Sequence, residues 1–480
     1  MNPLPLAVAA MMTSLTAAAA DTTVTIYRAD ADALFSPGTQ PLDQGHALVH
    51  EQRELTLAKG RHELAIGGLP SLLDSEAVGI DLGDGVRVLG QRVIAPGDAG
   101  VLGAHRGERV NVRGAGGELL AEGTLVAVDG EGLGVRDAQG RVSYLRNYLR
   151  VEFPDSSSLA GSTLQLALDA SRAGPRRAAL DYPTSGLGWR AAYAATLSDG
   201  GKSCRLRLEA LASIANRSGR DWSAVSLKLV AGAPNFASGG YAPPPRMMAM
   251  KAAAAPAPEA LPEQSALGDY RSYRIDGVLD LPDASVTQVP LYASREIDCT
   301  RRWLASYGNA WSPATPNWHD GGGSGTAVLP VRSQLGFQAP ENLPAGRVRV
   351  LTRDRDGHGE LLGEARTGDT AKGREVMLDL GIAFGLRAER ERTAFSVDRA
   401  ARTISEGFRI TLENASESAR SITVREHPER WRVWQVVESS QAPARKTPDL
   451  LEFVVSVPAH GSATLDYLLR YSWSAADERG

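Results

Sequence analysis

The stretch at 182–234 constrains the fold most, because apolar and polar residues alternate along it in three separate runs. The runs at 189–197, 204–214 and 225–230 have a period close to two, which is typical of β-strands with one buried face. The connection at 216–221 is rich in Asn, Ser, Gly and Asp, which favour tight turns. The stretch therefore predicts a three-stranded β-meander.

Catalytic motifs are missing from this stretch and from the rest of the sequence. Trp189, Tyr193 and Trp222 are available to the core of the predicted meander. The sequence has no Walker A motif, no Gly-x-Ser-x-Gly elbow and no His-Glu-x-x-His pair. Residue chemistry alone therefore predicts no reaction.

A family resemblance is carried by a set of residues in this stretch: Tyr182, Gly186, Trp189, Tyr193, Asn216, Asp221 and Trp222. Similar signatures follow at 343–351, 362–364, 381–384 and 424–431, the last including Glu426 and Trp431. In order and spacing, these residues resemble a bacterial domain family of unknown function that forms the C-terminal part of mucoidy-inhibitor-A-like proteins. The resemblance implies a β protein of the cell envelope that influences exopolysaccharide, and it implies no catalytic residues. The relatives usually carry a long coiled coil before the Trp189-type motif. This chain has none, so coiled-coil assembly is not implied.

The composition is that of a globular protein. A chain of 480 residues is too long for one ordinary hydrophobic core, so its length predicts two to four domains. The 50 Gly and 27 Pro favour many strands joined by turns. A net charge of −4 gives no electrostatic case for nucleic acid. The predicted fold class is all-β and multidomain, with β-sandwich domains plus a small SH3-like barrel.

The apolar runs, strand patterns and turn residues divide the chain into four regions. Residues 1–20 predict a secretory signal peptide, with a disordered or anchoring tail as the alternative, since no Lys or Arg precedes the apolar run. Residues 21–96 predict an N-terminal β domain, and 102–154 predict the small barrel from five short strands. Residues 160–480 predict a β-sandwich region. No other run is apolar for the ~20 residues of a spanning helix, so we expect a periplasmic or secreted protein.

Residues 233–269 predict an insertion in the sandwich region, because they are rich in Pro, Ala and Met. Low complexity of this kind predicts a disordered hairpin insertion. The alternative is a Met-rich docking segment for a partner.

The only two cysteines, Cys204 and Cys299, fall in predicted strands of one domain. An oxidising compartment would permit a disulfide between them, and two buried free thiols are the alternative. Without Cys-x-x-Cys or a matching His, no metal or cofactor is predicted. The run at 354–360 lacks the ligand spacing of a calcium loop, so Asp356-Gly357 predicts a hairpin turn.

Four aromatic residues form the candidate binding site: Trp303, Tyr307, Trp311 and Trp318. They lie in a Gly/Pro/Asn-rich segment, where aromatic side chains can form an exposed binding surface. The alternative is that they close one end of the sandwich core.

Two carboxylates, Glu426 and Asp221, are candidates for a catalytic acid. Glu426 precedes His427, but adjacent residues in a strand point to opposite faces, so a structural role is predicted. Asp221 beside Trp222 is predicted to accept backbone hydrogen bonds in a turn.

The predicted function is that of an exported, non-enzymatic cell-envelope protein that binds a protein partner or envelope polysaccharide. The alternative is an envelope hydrolase acting on glycan or peptide, which needs two convergent carboxylates or a nucleophile with its base. A third possibility is a subunit that self-assembles through exposed strand edges.

Overall fold

The computed structural model describes residues 21–95, 102–103, 105–154, 161–198, 204–232, 234, 263–268, 270–310, 312–320, 325–354 and 356–478. The predicted signal peptide, Trp311 and most of the predicted insertion at 233–269 lie outside these residues. Nearly all of the regular structure is β-strand, which confirms the all-β class, and Asp32–Phe35 forms a short 3-10 helix.

The strands are numbered in chain order. The first fifteen are β1 (Thr22–Tyr27), β2 (Ala47–Leu57), β3 (Gly60–Leu69), β4 (Gly79–Asp81), β5 (Val86–Ile94), β6 (Arg109–Arg113), β7 (Leu119–Val128), β8 (Leu133–Arg136), β9 (Val142–Leu145), β10 (Arg150–Glu152), β11 (Ser162–Ala170), β12 (Gly174–Thr184), β13 (Leu187–Leu197), β14 (Arg205–Asn216) and β15 (Trp222–Ala231). The others are β16 (Glu263–Leu267), β17 (Tyr270–Arg274), β18 (Leu279–Leu281), β19 (Ser285–Tyr307), β20 (Thr326–Gln338), β21 (Gly346–Arg353), β22 (Gly359–Thr367), β23 (Glu375–Asp398), β24 (Thr403–Asn414), β25 (Arg420–Glu426), β26 (Trp434–Ser439), β27 (Arg445–Thr447), β28 (Leu450–Val457) and β29 (Gly461–Ser472).

Two compact units divide the chain. The first comprises Met1–Arg190 and Ala212–Leu291, and the second comprises Ala191–Leu211 and Tyr292–Gly480. The division therefore differs from the predicted boundaries near 96 and 160.

The first unit contains a mixed sheet in the order β16-β17-β15-β1-β2-β12-β4, with β18 also on β15, and a three-stranded sheet β3-β11-β5. Strands of the predicted N-terminal domain thus pair with later strands, as β2 does with β12 and β3 with β11. Residues 21–96 do not form a separate sheet. In addition, β16 lies within the predicted insertion at 233–269, so the end of that segment is an ordered strand, contrary to the prediction.

Five strands occupy the region predicted as a small barrel, and they pair in the order β10-β6-β7-β8-β9. The sequence predicts strands at 108–113, 119–128, 134–137, 142–145 and 149–153, and the observed bounds agree with these within one residue. Val110, Val112, Leu125, Leu133 and Val135 form their buried core. Among the described residues, β9 and β10 remain the edges of an open sheet, so a closed barrel is not shown.

The second unit is built on a large sheet whose described strands run β22-β21-β13-β14-β19-β20-β23-β24-β29-β26, with β25, β27 and β28 attached. β13 and β14 are neighbours, as the meander predicted, but β15 pairs with β1 and β17 in the other sheet. The meander prediction is therefore wrong at its third strand. The chain changes sheet at the connection that follows Asn216.

Asn216 holds this connection in place with its buried amide. Its Nδ2 donates to the carbonyls of Arg220 and Leu281, each at 2.8 Å. Asn216 Oδ1 accepts from the backbone N of Ser218 at 3.1 Å and from the Ser218 Oγ at 2.8 Å. The side chain therefore satisfies polar groups that the sheet ladders cannot reach where the chain leaves β14.

Asn414 has the same arrangement in the second unit. Its Nδ2 donates to the carbonyls of Ser418 and Pro458, each at 2.9 Å, and its Oδ1 accepts from the N and Oγ of Ser416. We expect Asn414→Ala to lower the free energy of unfolding by about 1–3 kcal/mol, since it leaves buried groups unpaired. Urea unfolding measures this. Ser416→Ala is the control with fewer lost bonds, and an equal or larger loss there would contradict the account.

The sequence predicts two short strands at 375–380 and 393–398, but the structure has a single long strand, β23, across both. It pairs with β20 on one side and β24 on the other along most of its length. Two arginines between the predicted strands, Arg390 and Arg392, are largely buried.

Candidate functional site

A buried ion pair surrounded by aromatic rings lies in the core of the second unit. Arg390 Nε donates to both carboxylate oxygens of Glu426 at 3.1 Å. The guanidinium carbon of Arg390 lies 3.7 Å from the ring centroid of Tyr307 and 3.8 Å from that of Phe408. Tyr467 packs against Phe408. We call these five residues the Arg390 cluster, and its geometry fixes the charge between two rings.

The surroundings of this cluster shift its titrating groups. Burial raises the pKa of Glu426, and the charge of Arg390 only partly offsets it. Burial and the neighbouring Glu426 raise the pKa of Tyr467 well above its ordinary value. Glu426 is almost completely buried, so it is not placed to exchange a proton with a substrate.

A second carboxylate, Glu406, is held by two arginines. Arg430 donates to Glu406 Oε1 through Nε at 3.1 Å and through Nη2 at 2.8 Å, and Arg392 Nη1 lies 3.7 Å from the same oxygen. Arg392 also donates to Asp320, and Arg430 to the carbonyl of His319. Both buried carboxylates of this core are therefore neutralised in ion pairs.

The first unit contains a similar group, which we call the Glu51 cluster. Glu51 accepts from Arg220 Nη2 at 2.9 Å and from the Tyr182 hydroxyl at 3.0 Å, and Arg53 Nη2 lies 2.9 Å away. Arg220 also lies over the ring of Trp222, 4.3 Å from its centroid. Two of the predicted motif residues, Tyr182 and Trp222, thus support one buried charge network.

The Glu51 cluster makes stability depend on pH. Burial alone would raise the pKa of Glu51, but the charges of Arg53 and Arg220 bring it below the ordinary value of 4.5. A lowered folded pKa stabilises the protein above pH 4.5 and loses that contribution as the pH falls through the folded value. Urea unfolding of wild type and Glu51→Gln should differ most at neutral pH and converge in acid. A constant difference would contradict this.

The other motif residues also have structural positions. Trp189 donates to the carbonyl of Val230 at 2.9 Å, and Tyr193 to that of Pro344 at 2.7 Å. Asp221 accepts from the backbone N of Asp283 at 2.8 Å, so this hydrogen bond joins two segments that are 62 residues apart in the sequence. Trp431 is 1 % exposed and lies in the hydrophobic core of the second unit. These contacts support the interpretation of the motif as a framework.

Gly186 of the motif has a φ of +83°, in the left-handed region. A Cβ at this position would lie 2.6 Å from the carbonyl oxygen of Arg217. Both facts make this position specific for glycine.

The four aromatic residues of the candidate binding site do not form one exposed loop surface among the described residues. Trp303 and Tyr307 lie in β19, and both pack against the second core, partly buried. Trp318 also packs there and stacks on Trp473, with ring centroids 6.3 Å apart. Trp311 is not described. The positions of the other three agree with the core-closing alternative.

His427 and Glu426 face different surroundings, as predicted. Glu426 points into the Arg390 cluster, while His427 Nδ1 lies 2.7 Å from the carbonyl oxygen of Asp449. The two side chains do not converge on one cleft.

The exposed hairpin between β21 and β22 brings together Asp354, Asp356 and His358, with ligand atoms within 4.8 Å of one another. Asp354 Oδ1 already accepts from the backbone N of Asp356 and of His358. Gly357 has a φ of +84°, which confirms the predicted hairpin turn. The carboxylate therefore acts as a turn cap.

Cys204 and Cys299 form a disulfide, with a Cα–Cα distance of 5.0 Å. Of the two alternatives for these cysteines, the structure shows the bridge. Both residues are partly exposed.

One exposed apolar pair was not recognised as a candidate site from the sequence. Phe384 is fully exposed and Ile382 exposes 67 % of its surface. Both belong to the 381–384 signature of the family resemblance. Their position two residues apart on one strand was the available signal.

The described residues form two compact β units, and each unit contains a buried ion pair. The family model of a domain of unknown function, DUF4139, matches residues 178–474, which is more than half of the chain, so the protein belongs to this family. Comparisons with curated proteins and with solved structures found no match. Among the described residues, no helix has the length and apolar character that membrane crossing requires.

Proposed function

We propose that the protein is an exported, non-enzymatic envelope protein that binds a protein partner through Ile382 and Phe384. The observation that carries the proposal is the full exposure of Phe384 beside a second exposed apolar side chain. We call these two residues the Phe384 surface. Exposed aromatic residues are typical anchors of protein interfaces.

The backbone presents these side chains through an irregularity in β23. Ile382 pairs with Arg332 of β20, and Arg387 pairs with Pro330. Four residues of β23 therefore stand opposite the single residue Val331, which defines a bulge. The bulge is anchored, because the carbonyl of Gly385 accepts from the backbone N of Ala415 at 2.8 Å.

The chemistry of the Phe384 surface favours a protein over a polysaccharide. Ile382 offers no flat face for a sugar ring, whereas an apolar pocket accepts both side chains. The nearby charges are internally balanced, since Arg332 pairs with Asp379 and Arg387 with Glu389. A partner with an uncharged apolar pocket is therefore complementary to this surface.

Export is supported by two independent features. The apolar run at 1–20 is typical of a signal peptide. The disulfide between Cys204 and Cys299 is typical of an oxidising compartment. The resemblance to mucoidy-inhibitor-like proteins supports an envelope location and an influence on exopolysaccharide. The hydrolase alternative has less support, since Glu406 and Glu426 are both held by arginines.

The test is capture from envelope extract with wild type, Phe384→Ser and Val454→Ser. Val454 is the control, because it exposes 51 % on another strand. The captured protein is then purified and titrated by calorimetry. Phe384→Ser should weaken its binding roughly 30-fold, equivalent to about 2 kcal/mol, while Val454→Ser should not.

Three outcomes would contradict the proposal. Equal binding by the two variants would show that the partner does not bind at the Phe384 surface. Capture of polysaccharide without protein would show that the partner is a polysaccharide and not a protein. Degradation of an envelope polymer by wild type, absent from a heat-inactivated sample, would favour the hydrolase alternative.

A further inference from the structure

We propose that the Cys204–Cys299 disulfide is a redox site that dithiols open and close while the protein stays folded. The bridge joins Cys204, the residue before β14, to Cys299 in the neighbouring strand β19, with a sequence separation of 95. The proposal concerns a different part of the second unit from the Phe384 surface, and it does not depend on the proposed function.

Access to the bridge is provided by an open cleft of about 930 Å³. The cleft is lined by residues from β19, the end of β20 and the turn at 372–375, and Cys299 is part of its wall. Both cysteines are partly exposed, whereas the hydrophobic core of this unit is nearly inaccessible. A thiol of small size can therefore reach Cys299 through the cleft.

The backbone around the bridge is held independently of the sulfur atoms. The backbone N of Cys299 donates to the carbonyl of Cys204 at 3.0 Å. On its other side, Cys299 pairs with Phe337 of β20. Opening the bridge breaks neither contact, so both strands keep their pairing in the reduced state.

Charge neither attracts nor repels an approaching thiolate strongly. Six charged residues line the cleft, three of each sign: Arg205, Arg302, Lys372, Glu296, Asp298 and Glu375. All three cations are in ion pairs: Arg205 with Asp298 at 3.3 Å, Arg302 with Glu375 at 3.0 Å, and Lys372 with Glu341 at 3.3 Å. The rate of attack is therefore controlled by access to the sulfur.

The reaction is thiol–disulfide exchange with a dithiol as the reductant. A thiolate of the dithiol attacks Sγ of Cys299, the S–S bond breaks, and Cys204 leaves as a thiolate that takes a proton. The second thiolate of the reagent then attacks the mixed disulfide and releases Cys299 as a thiol. The protein gains two electrons and two protons, and the dithiol becomes a disulfide.

The test treats the native full-length protein with dithiothreitol and traps free thiols with iodoacetamide for mass spectrometry. Because the chain has only two cysteines, the label count reports this bridge alone. Tryptophan fluorescence follows folding in the same sample. We expect both cysteines to be labelled while the native fluorescence persists, and oxidised dithiothreitol to restore the bridge.

Two further results decide the matter. Thr300 lines the cleft, so Thr300→Trp should slow reduction several-fold, whereas Ser421→Trp, at an exposed position of β25, should not. Reduction that occurs only with unfolding, with a rate that rises with urea along the unfolding curve, would overturn the proposal. So would equal rates in the two variants.

Discussion

Arg390→Ala is expected to lower the free energy of unfolding of the second unit by about 3–5 kcal/mol. The substitution leaves the carboxylate of Glu426 buried without its partner, and it empties the space between Tyr307 and Phe408. The loss should be greatest at neutral pH. It should shrink in acid, because burial raises the pKa of Glu426 and a protonated carboxyl no longer needs the arginine.

Guanidinium unfolding of matched variants measures this effect. Arg387→Ala is the control on the same strand, since Arg387 is more than half exposed and pairs only at the surface. Its expected cost is about 0–1 kcal/mol. The double variant Arg390→Met/Glu426→Met should recover much of the loss, because it removes both charges. Equal costs for Arg390→Ala and Arg387→Ala would contradict a buried ion pair.

Removing the disulfide with Cys204→Ala/Cys299→Ala is expected to cost about 2–5 kcal/mol. The bridge closes a loop with a sequence separation of 95, so it restricts the unfolded chain strongly. Wild type reduced by dithiothreitol should show the same unfolding midpoint as the double variant. Both should remain folded in the absence of denaturant, since the strand pairing at Cys299 does not need the sulfur bond.

The unfolding midpoint in guanidinium decides this prediction. An unchanged midpoint would show that the bridge adds no constraint. A double variant that fails to fold at all would show that the bridge holds the unit together, and it would also contradict a redox site in the folded protein.

The strands were largely predictable from the sequence, because alternation of apolar and polar residues reports burial directly. The alternation predicts strands at 47–57, 119–128 and 142–145, and β2, β7 and β9 have these bounds. Sheet membership was not predictable, because the connection after Asn216 looks the same whether the next strand pairs with β14 or enters another sheet. The hydrogen bonds that decide it join residues far apart in sequence, such as Asn216 and Leu281.

The buried charges were the main part that the sequence could not predict. Arg390 and Arg392 belong to a run of charged residues, which has the composition of a solvated segment. Their partners, Glu426 and Glu406, lie on other strands. The arrangement of three of the candidate aromatic residues was not predictable for a similar reason. A Gly/Pro/Asn-rich segment indicates a loop, yet Trp303 and Tyr307 lie in β19 and Trp318 packs on Trp473.

The measurement that tests the central claim most directly is photo-crosslinking in living cells. A photoreactive amino acid replaces Phe384 in one variant and Val454 in another, and the products are identified by mass spectrometry. The account predicts one defined protein adduct from position 384, absent from position 454 and reduced when Ile382→Ser is added. Identical adduct patterns from the two positions, or none from position 384 in a folded protein, would contradict binding through the Phe384 surface.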